Sequence, residues 1–212
     1  STGELRAIKV FNFNTMENWK AEELLRREVE TLKNVEIPGI PKYIDFIEAF
    51  PYAYLVESYM DGQSMKSLIE TGFRPDMTQV IEILLQALEI LRQLHSHLPP
   101  IIHRDIKPGN ILIDTSSDNL RVSIIDFGTV AAARQNKDAS TFAGTAGYAA
   151  PEQLFGKASP ASDLYGLGAS ILHLITGIAP YDMELNGLEP CFDKYLPDNL
   201  PAWLDHLIRS MV

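Results

Sequence analysis

The chain has one cysteine, Cys191, so no intrachain disulfide can form and nothing points to an oxidising compartment. No activating group stands beside Cys191 in sequence, and it reads as a bland or buried thiol. Basic residues are in the minority. The 18 Lys and Arg against 28 Asp and Glu leave a formal charge of −10, the wrong sign for a nucleic-acid binder. No apolar run is long enough to cross a bilayer. The longest, residues 164–179, is interrupted by Ser170, His173 and Thr176 and reads as a buried helix. Ser1 to Val10 carry two basic residues and an acid with no apolar stretch, unlike a secretory leader. Repeats, linkers and biased segments are absent as well. What is there is ordinary globular material: 46% hydrophobic and 22% charged over 212 residues, enough for a sizeable core in one domain or at most two. The expectation is a cytoplasmic chain, free or as the cytosolic part of something larger, whose segment here touches neither membrane nor nucleic acid.

Two textures follow one another. Leu5–Phe11 and Tyr52–Tyr59 are rich in branched and aromatic residues and read as strands. Between them Asn14 and Glu17 have capping-box spacing, opening a helix to about Asn34 with Leu24, Leu25, Val29 and Leu32 on one stripe. From Asp61 onward helices dominate. Asp76 with Gln79 is a second capping signal, followed at helical spacing by Ile81, Leu84, Leu85, Leu88 and Leu91. Short apolar strands at Ile111–Ile113 and Val122–Ile125 interrupt this part, and Asp61-Gly62 is the natural joint. The expected class is α+β and two-lobed: a small sheet-rich lobe over residues 1–60 and a larger helical lobe over 61–212.

The chemistry concentrates in Ile101-Ile-His-Arg-Asp-Ile-Lys-Pro-Gly-Asn-Ile-Leu-Ile113, a polar loop between two apolar anchors. Asp105, Lys107 and Asn110 supply a proton acceptor, a fixed positive charge and a neutral oxygen ligand. Phosphoryl transfer asks for such a set, because it needs positioning and charge neutralisation more than covalent help. Twenty-one residues after Asp105, the apolar strand of Val122-Ser-Ile-Ile-Asp-Phe-Gly128 delivers Asp126, a carboxylate suited to Mg²⁺. In the first strand, Ala7-Ile8-Lys9 offers a cation. Glu28 lies four residues from both Leu24 and Leu32, on the apolar face of its helix, where an inward charge needs a partner such as Lys9.

His103-Arg104-Asp105, Asp126-Phe127-Gly128 and Ala150-Pro151-Glu152 occur in this order and resemble the catalytic-loop, metal-loop and activation-segment signatures of eukaryotic-type protein kinases. The resemblance covers essentially the whole chain. Gly144-Thr145 and Ala150-Pro151-Glu152 set it apart from small-molecule kinases with a related His-x-Asp loop. Lys107 with Thr145 resembles the pair that marks Ser/Thr specificity, and residues 144–153 are similar to those of bacterial Ser/Thr kinases. The resemblance implies ATP and Mg²⁺ as cofactors and protein substrates with Ser or Thr acceptors. It implies that Asp105 accepts the proton of the substrate hydroxyl while Lys107 steadies the transferred group. It gives Asn110 and Asp126 to the metal and Lys9, oriented by Glu28, to the phosphates. It places Ala7 and Leu112 on either side of the adenine ring and Tyr59 and Met60 at the hinge. Leu32, Tyr43, His103 and Phe127, seated on Asp163, would join the lobes. Thr141 falls where the family carries an activating phosphate, with Arg104 as its receiver and only a thin basic cluster around it.

Three departures accompany the resemblance. No Gly-x-Gly-x-x-Gly loop precedes Lys9, and the chain stops before the last helices and the Arg that pairs with the Glu152 position. It is therefore expected to be truncated at both ends, with weak nucleotide binding and little turnover alone. Glu57 stands near the back of the adenine pocket, where its charge is costly if buried. The competing reading is a pseudokinase-like binding or scaffold module. Against it stand Lys9, Asp105, Asn110 and Asp126, all present.

Overall fold

Alternation sets the first sheet. In the computed structural model, β1 (Arg6–Asn12), β2 (Tyr43–Ala49) and β3 (Tyr52–Ser58) form an antiparallel sheet in the order β1-β3-β2. The structure describes residues 3–13, 25–26, 29–116, 119–127, 145–186 and 189–212. The capping pair Asn14 and Glu17, as well as Glu28, Gly128 and Thr141, lie outside them. Along β3 every second residue faces inward: Ala53 and Leu55 are fully buried and Glu57 is 4% exposed. β1 pairs Lys9 with Leu55 and Ala7 with Glu57, which puts these side chains on the same inner face. Val29 and Leu32, on helical residues 29–33, belong to the same buried core as Leu55.

The second sheet is β4 (Gln63–Ser64), β5 (Ile111–Asp114) and β6 (Arg121–Ile124). Among the described residues of this part the helices are α1 (Met65–Glu70), α2 (Met77–His95), α3 (Pro160–Thr176) and α4 (Ala202–Met211). A two-residue hairpin, β7 (Leu185–Asn186) with β8 (Glu189–Pro190), follows α3. The capping box at Asp76 and Gln79 is formed on both sides, and Val80, Ile83, Leu84, Ala87, Ile90, Leu91 and Leu94 bury one face of α2. Gln86 closes α2 onto the sheet, donating to the Leu120 carbonyl and accepting from the Val122 N–H.

α3 is buried on nearly every side, as its apolar run requires. Pro160 opens it and Gly177, at φ 70, ends it in the left-handed conformation that favours glycine. Its Ser170 hydroxyl, fully buried, donates to the Gly166 carbonyl. The two parts of the chain meet along one continuous core, and the Ile124 N–H donates to the Gly39 carbonyl at 2.8 Å. Among the described residues no helix is long and apolar enough to cross a membrane.

Candidate active site

The loop after α2 is held from below by a single carboxylate. Asp163, in the first turn of α3, is completely buried. Its Oδ2 accepts from the His103 N–H at 2.8 Å and contacts His95 Nε2 at 2.9 Å, while Oδ1 accepts from the Arg104 N–H at 2.7 Å. Such charge-assisted bonds offset the cost of burying a carboxylate. They also fix Arg104 at φ 72, a left-handed conformation costing about 1–3 kcal/mol in a non-glycine residue. The Arg104 carbonyl accepts from Gln153 Nε2 at 2.8 Å, so its peptide groups are clamped on both sides. His95 was marked by no motif, and Gln153 only as the last residue of the 144–153 segment, with no role. Both act through contacts that span dozens of residues in sequence.

His103 is fully buried, and burial lowers its pKa below the ordinary 6.5. The neutral ring donates from Nε2 to the Ile125 carbonyl at 3.1 Å and accepts at Nδ1 from the Asp105 N–H at 3.3 Å. Phe127 packs against it edge-on, ring centroids 4.8 Å apart. The ring thus ties the Asp105 loop to the segment that carries Asp126.

Asp105 sits in a closed polar ring. Lys107 Nζ is 2.6 Å from Oδ2, Thr145 Oγ1 donates to Oδ1 at 2.9 Å, and Lys107 donates to that same hydroxyl at 2.9 Å. Asn110 Nδ2 donates to the Asp105 carbonyl at 2.9 Å and to Oδ2 at 3.2 Å. A carboxylate has about four acceptor positions. Among the described residues three are engaged, two on Oδ2 and one on Oδ1, so Oδ1 retains room for one more donor. The sequence-predicted Asp105, Lys107, Asn110 and Thr145 are therefore brought together.

Asp126 follows β6 at φ 69, a second non-glycine residue in the left-handed region, and accepts from Lys9 Nζ at 3.0 Å. The Ile125 N–H donates to the Asn110 carbonyl at 2.9 Å, which keeps the Asp126 segment beside the Asp105 loop. Lys9 thus reaches from the first sheet to the second part of the chain. Its expected partner, Glu28, lies outside the described residues, as does Thr141. Ala7, half-buried on β1, and Leu112, half-buried on β5, come from the two different sheets. Tyr59, 47% exposed, and Met60 form the connection from β3 to β4. Glu57, just before that connection, is buried between Ala7 and Tyr43 in the sheet. Glu152 accepts from the Ser162 hydroxyl at 2.7 Å, which fastens the Pro151–Phe155 turn to α3.

Burial also shapes Arg104. Desolvation lowers its pKa, opposed by the Asp163 charge, and its Nε is buried without a hydrogen bond among the described residues. A buried unsatisfied donor is uncommon and calls for an explanation.

Comparison with known proteins agrees with this geometry. The protein kinase domain model matches residues 1–199. Serine/threonine-protein kinase B of Synechocystis sp. is 36% identical over 203 residues, covering 91% of this chain and 35% of its own. The probable serine/threonine-protein kinase PknB of Lactococcus lactis is 32% identical over 181 residues, 84% of this chain and 28% of its own. Serine/threonine-protein kinase PrkC of Bacillus subtilis is 30% identical over 179 residues, 84% of this chain and 27% of its own. The chain thus spans roughly a third or less of the length of these curated relatives.

Proposed function

Because the chain belongs to the protein kinase domain family, we propose that it carries out phosphoryl transfer from ATP to Ser or Thr hydroxyls of protein substrates, with Mg²⁺. The observation that carries this reading is the ring around Asp105. One acceptor position of Oδ1 is left for a hydroxyl proton, while Lys107 and Thr145 hold the carboxylate in place. Asp105 accepts the proton of the attacking hydroxyl, and Lys107 adds the fixed charge that steadies the transferred group. The Ser/Thr acceptor is supported by the Lys107–Thr145 contact together with the similarity to serine/threonine-protein kinases.

The donor set suits the metal. Asn110 has its amide nitrogen engaged by Asp105 and, among the described residues, its Oδ1 accepts no hydrogen bond; the Asp126 carboxylate is 51% exposed. Both offer hard oxygen, as Mg²⁺ requires, and would hold it beside the phosphates. Bound there, the ion supplies charge neutralisation of the phosphate oxygens. Lys9 exchanges its contact with Asp126 for phosphate, with Glu28 orienting it, while Ala7 and Leu112 enclose the adenine and Tyr59 and Met60 offer backbone groups to it. The division into lobes at Asp61-Gly62 and a cytoplasmic setting belong to the same reading. So does regulation through Thr141, for which the unsatisfied Nε of Arg104 is the supporting observation.

Asp105→Asn tests the core of it. The variant keeps shape and loses the proton acceptor, so kcat falls by about 10²–10⁴-fold while KM for ATP stays within about twofold. A steady-state assay in which the main effect is on KM for ATP would overturn the role.

A further inference from the structure

The turn that carries Thr145 is anchored at a second polar point, away from Asp105. The N–H groups of Tyr148 and Ala149 both donate to the Thr145 carbonyl at 3.0 Å, closing residues 145–149 on themselves. Gly147, at φ 82, lets this turn press against Tyr181, whose backbone nitrogen lies 3.0 Å from where a β-carbon would be. The Tyr148 ring then points inward. It is 7% exposed and packs with Ala150, Tyr165 and Ala169. Its hydroxyl lies 2.7 Å from Nδ1 of His173, in the last turn of α3.

Which partner carries the proton follows from the surroundings. His173 faces Tyr148 on the turn, Asp182 on the Pro180–Asp182 turn, Glu70 at the end of α1, and Arg74 just beyond it. Tyr181 and Asp182 face Tyr148 in the same way. The two carboxylates favour a charged imidazole, whereas burial and Arg74 oppose it; burial weighs most and lowers the His173 pKa below 6.5. Burial, reinforced by Tyr181 and Asp182, raises the Tyr148 pKa well above that of a free phenol. At neutral pH the phenol therefore donates to the lone pair of a neutral ring.

We propose that His173 is a positioning residue for phosphoryl transfer: it holds Tyr148, and through the turn it holds Thr145 against Asp105 and Lys107, and it does so as the neutral ring. The inference rests on the kinase reading above. Protonation turns Nδ1 into a donor and removes the acceptor. The contact then survives only with its direction reversed, and the buried phenolic proton is left without its partner. Activity accordingly declines as pH falls through the His173 pKa.

The test follows kcat and KM for ATP of the full-length protein from about pH 5.5 to about pH 8.5, in wild type, His173→Gln and Tyr148→Phe. The wild type shows an acid limb below the ordinary histidine value. His173→Gln keeps the neutral-pH rate, because its amide oxygen accepts the phenolic proton at every pH, and loses that limb. Tyr148→Phe lowers kcat about 2- to 12-fold at neutral pH, the worth of one hydrogen bond, with KM for ATP unchanged. A Gln variant with the wild-type pH profile, or a Phe variant with the wild-type kcat, overturns the proposal. A wild type that transfers no phosphate at any pH refutes the kinase reading instead. The contact itself is then read by NMR titration of the His173 ring. Its pKa rises in Tyr148→Phe if the phenol donates to it; an unchanged value rejects the bond without reference to activity.

Discussion

Arg104 shows how one residue is held for a task its own contacts do not complete. Its N–H is engaged by Asp163, its carbonyl by Gln153, and its backbone sits at φ 72, yet among the described residues its buried Nε has no hydrogen-bond partner. An uncompensated buried donor costs about 1–3 kcal/mol, and strain at such a φ a similar amount. A phosphate on Thr141 supplies acceptor oxygens and about −1.5 to −2 of charge, enough to satisfy that guanidinium. Phosphorylation of Thr141 therefore raises activity severalfold, and Arg104→Ala removes the gain. The check is mass spectrometry of the active full-length protein combined with a Thr141→Ala assay. Full activity in the alanine variant would remove Thr141 as a switch. This residue was legible in sequence only through the signature around it. Its strain and its unsatisfied nitrogen depend on Asp163, 59 residues away, and no local pattern encodes that distance.

Elements read from the sequence came through where one periodicity prevailed. The alternation of β3 and the capping box of α2 stand where they were expected, with β3 ending at Ser58. β2 was missed, and its geometry explains why. A bulge between Tyr43 and Asp45 shifts its register and breaks the period of two, and Ile44 and Ile47 are exposed. α3 was recognised by its apolar run but starts earlier, at Pro160, because its first turn is small and polar. That turn holds Asp163, the residue on which the loop depends. One turn further on, a β-carbon at Gly166 would lie 2.6 Å from the Ile106 carbonyl oxygen and 3.2 Å from that of Tyr148. Both neighbours are backbone and cannot swing away. Gly166→Ala thus forces the Asp105 loop and the Thr145 turn apart from α3. It costs about 1–3 kcal/mol of stability by overpacking and lowers kcat at least tenfold with KM for ATP little changed. Urea melts and steady-state kinetics on the same preparation measure both. An alanine variant with wild-type kcat would show that the helix merely abuts the site.

At the scale of the molecule, pH acts through groups that folding keeps neutral or charged. The pKa values of His103 and His173 are lowered in the fold relative to 6.5, chiefly by burial. Each stabilises the fold fully above its unfolded value, and that contribution is lost as pH falls through the lowered folded value. Asp114, held below 3.8 first by its hydrogen bonds to Ser116, adds stability above 3.8 that is lost as pH falls through its own folded value. The urea midpoint is therefore flat from neutrality to about pH 9, below the ionisation of an unfolded phenol, and declines from about pH 6.5 downward. Superimposable melts at about pH 7.5 and about pH 4.5 would contradict the buried neutral histidines. The main core is continuous, joining Leu32 and Leu55 of the first sheet region to Leu91, Leu172 and Ile208 of the helices. Cooperativity is the consequence. A chain sharing one core unfolds as a unit, so any molecule gripping the seam between Lys9 and Asp126 stabilises α4 as much as it stabilises β1. A melting curve recorded on the whole chain can therefore rank nucleotides and inhibitors before a protein substrate is known.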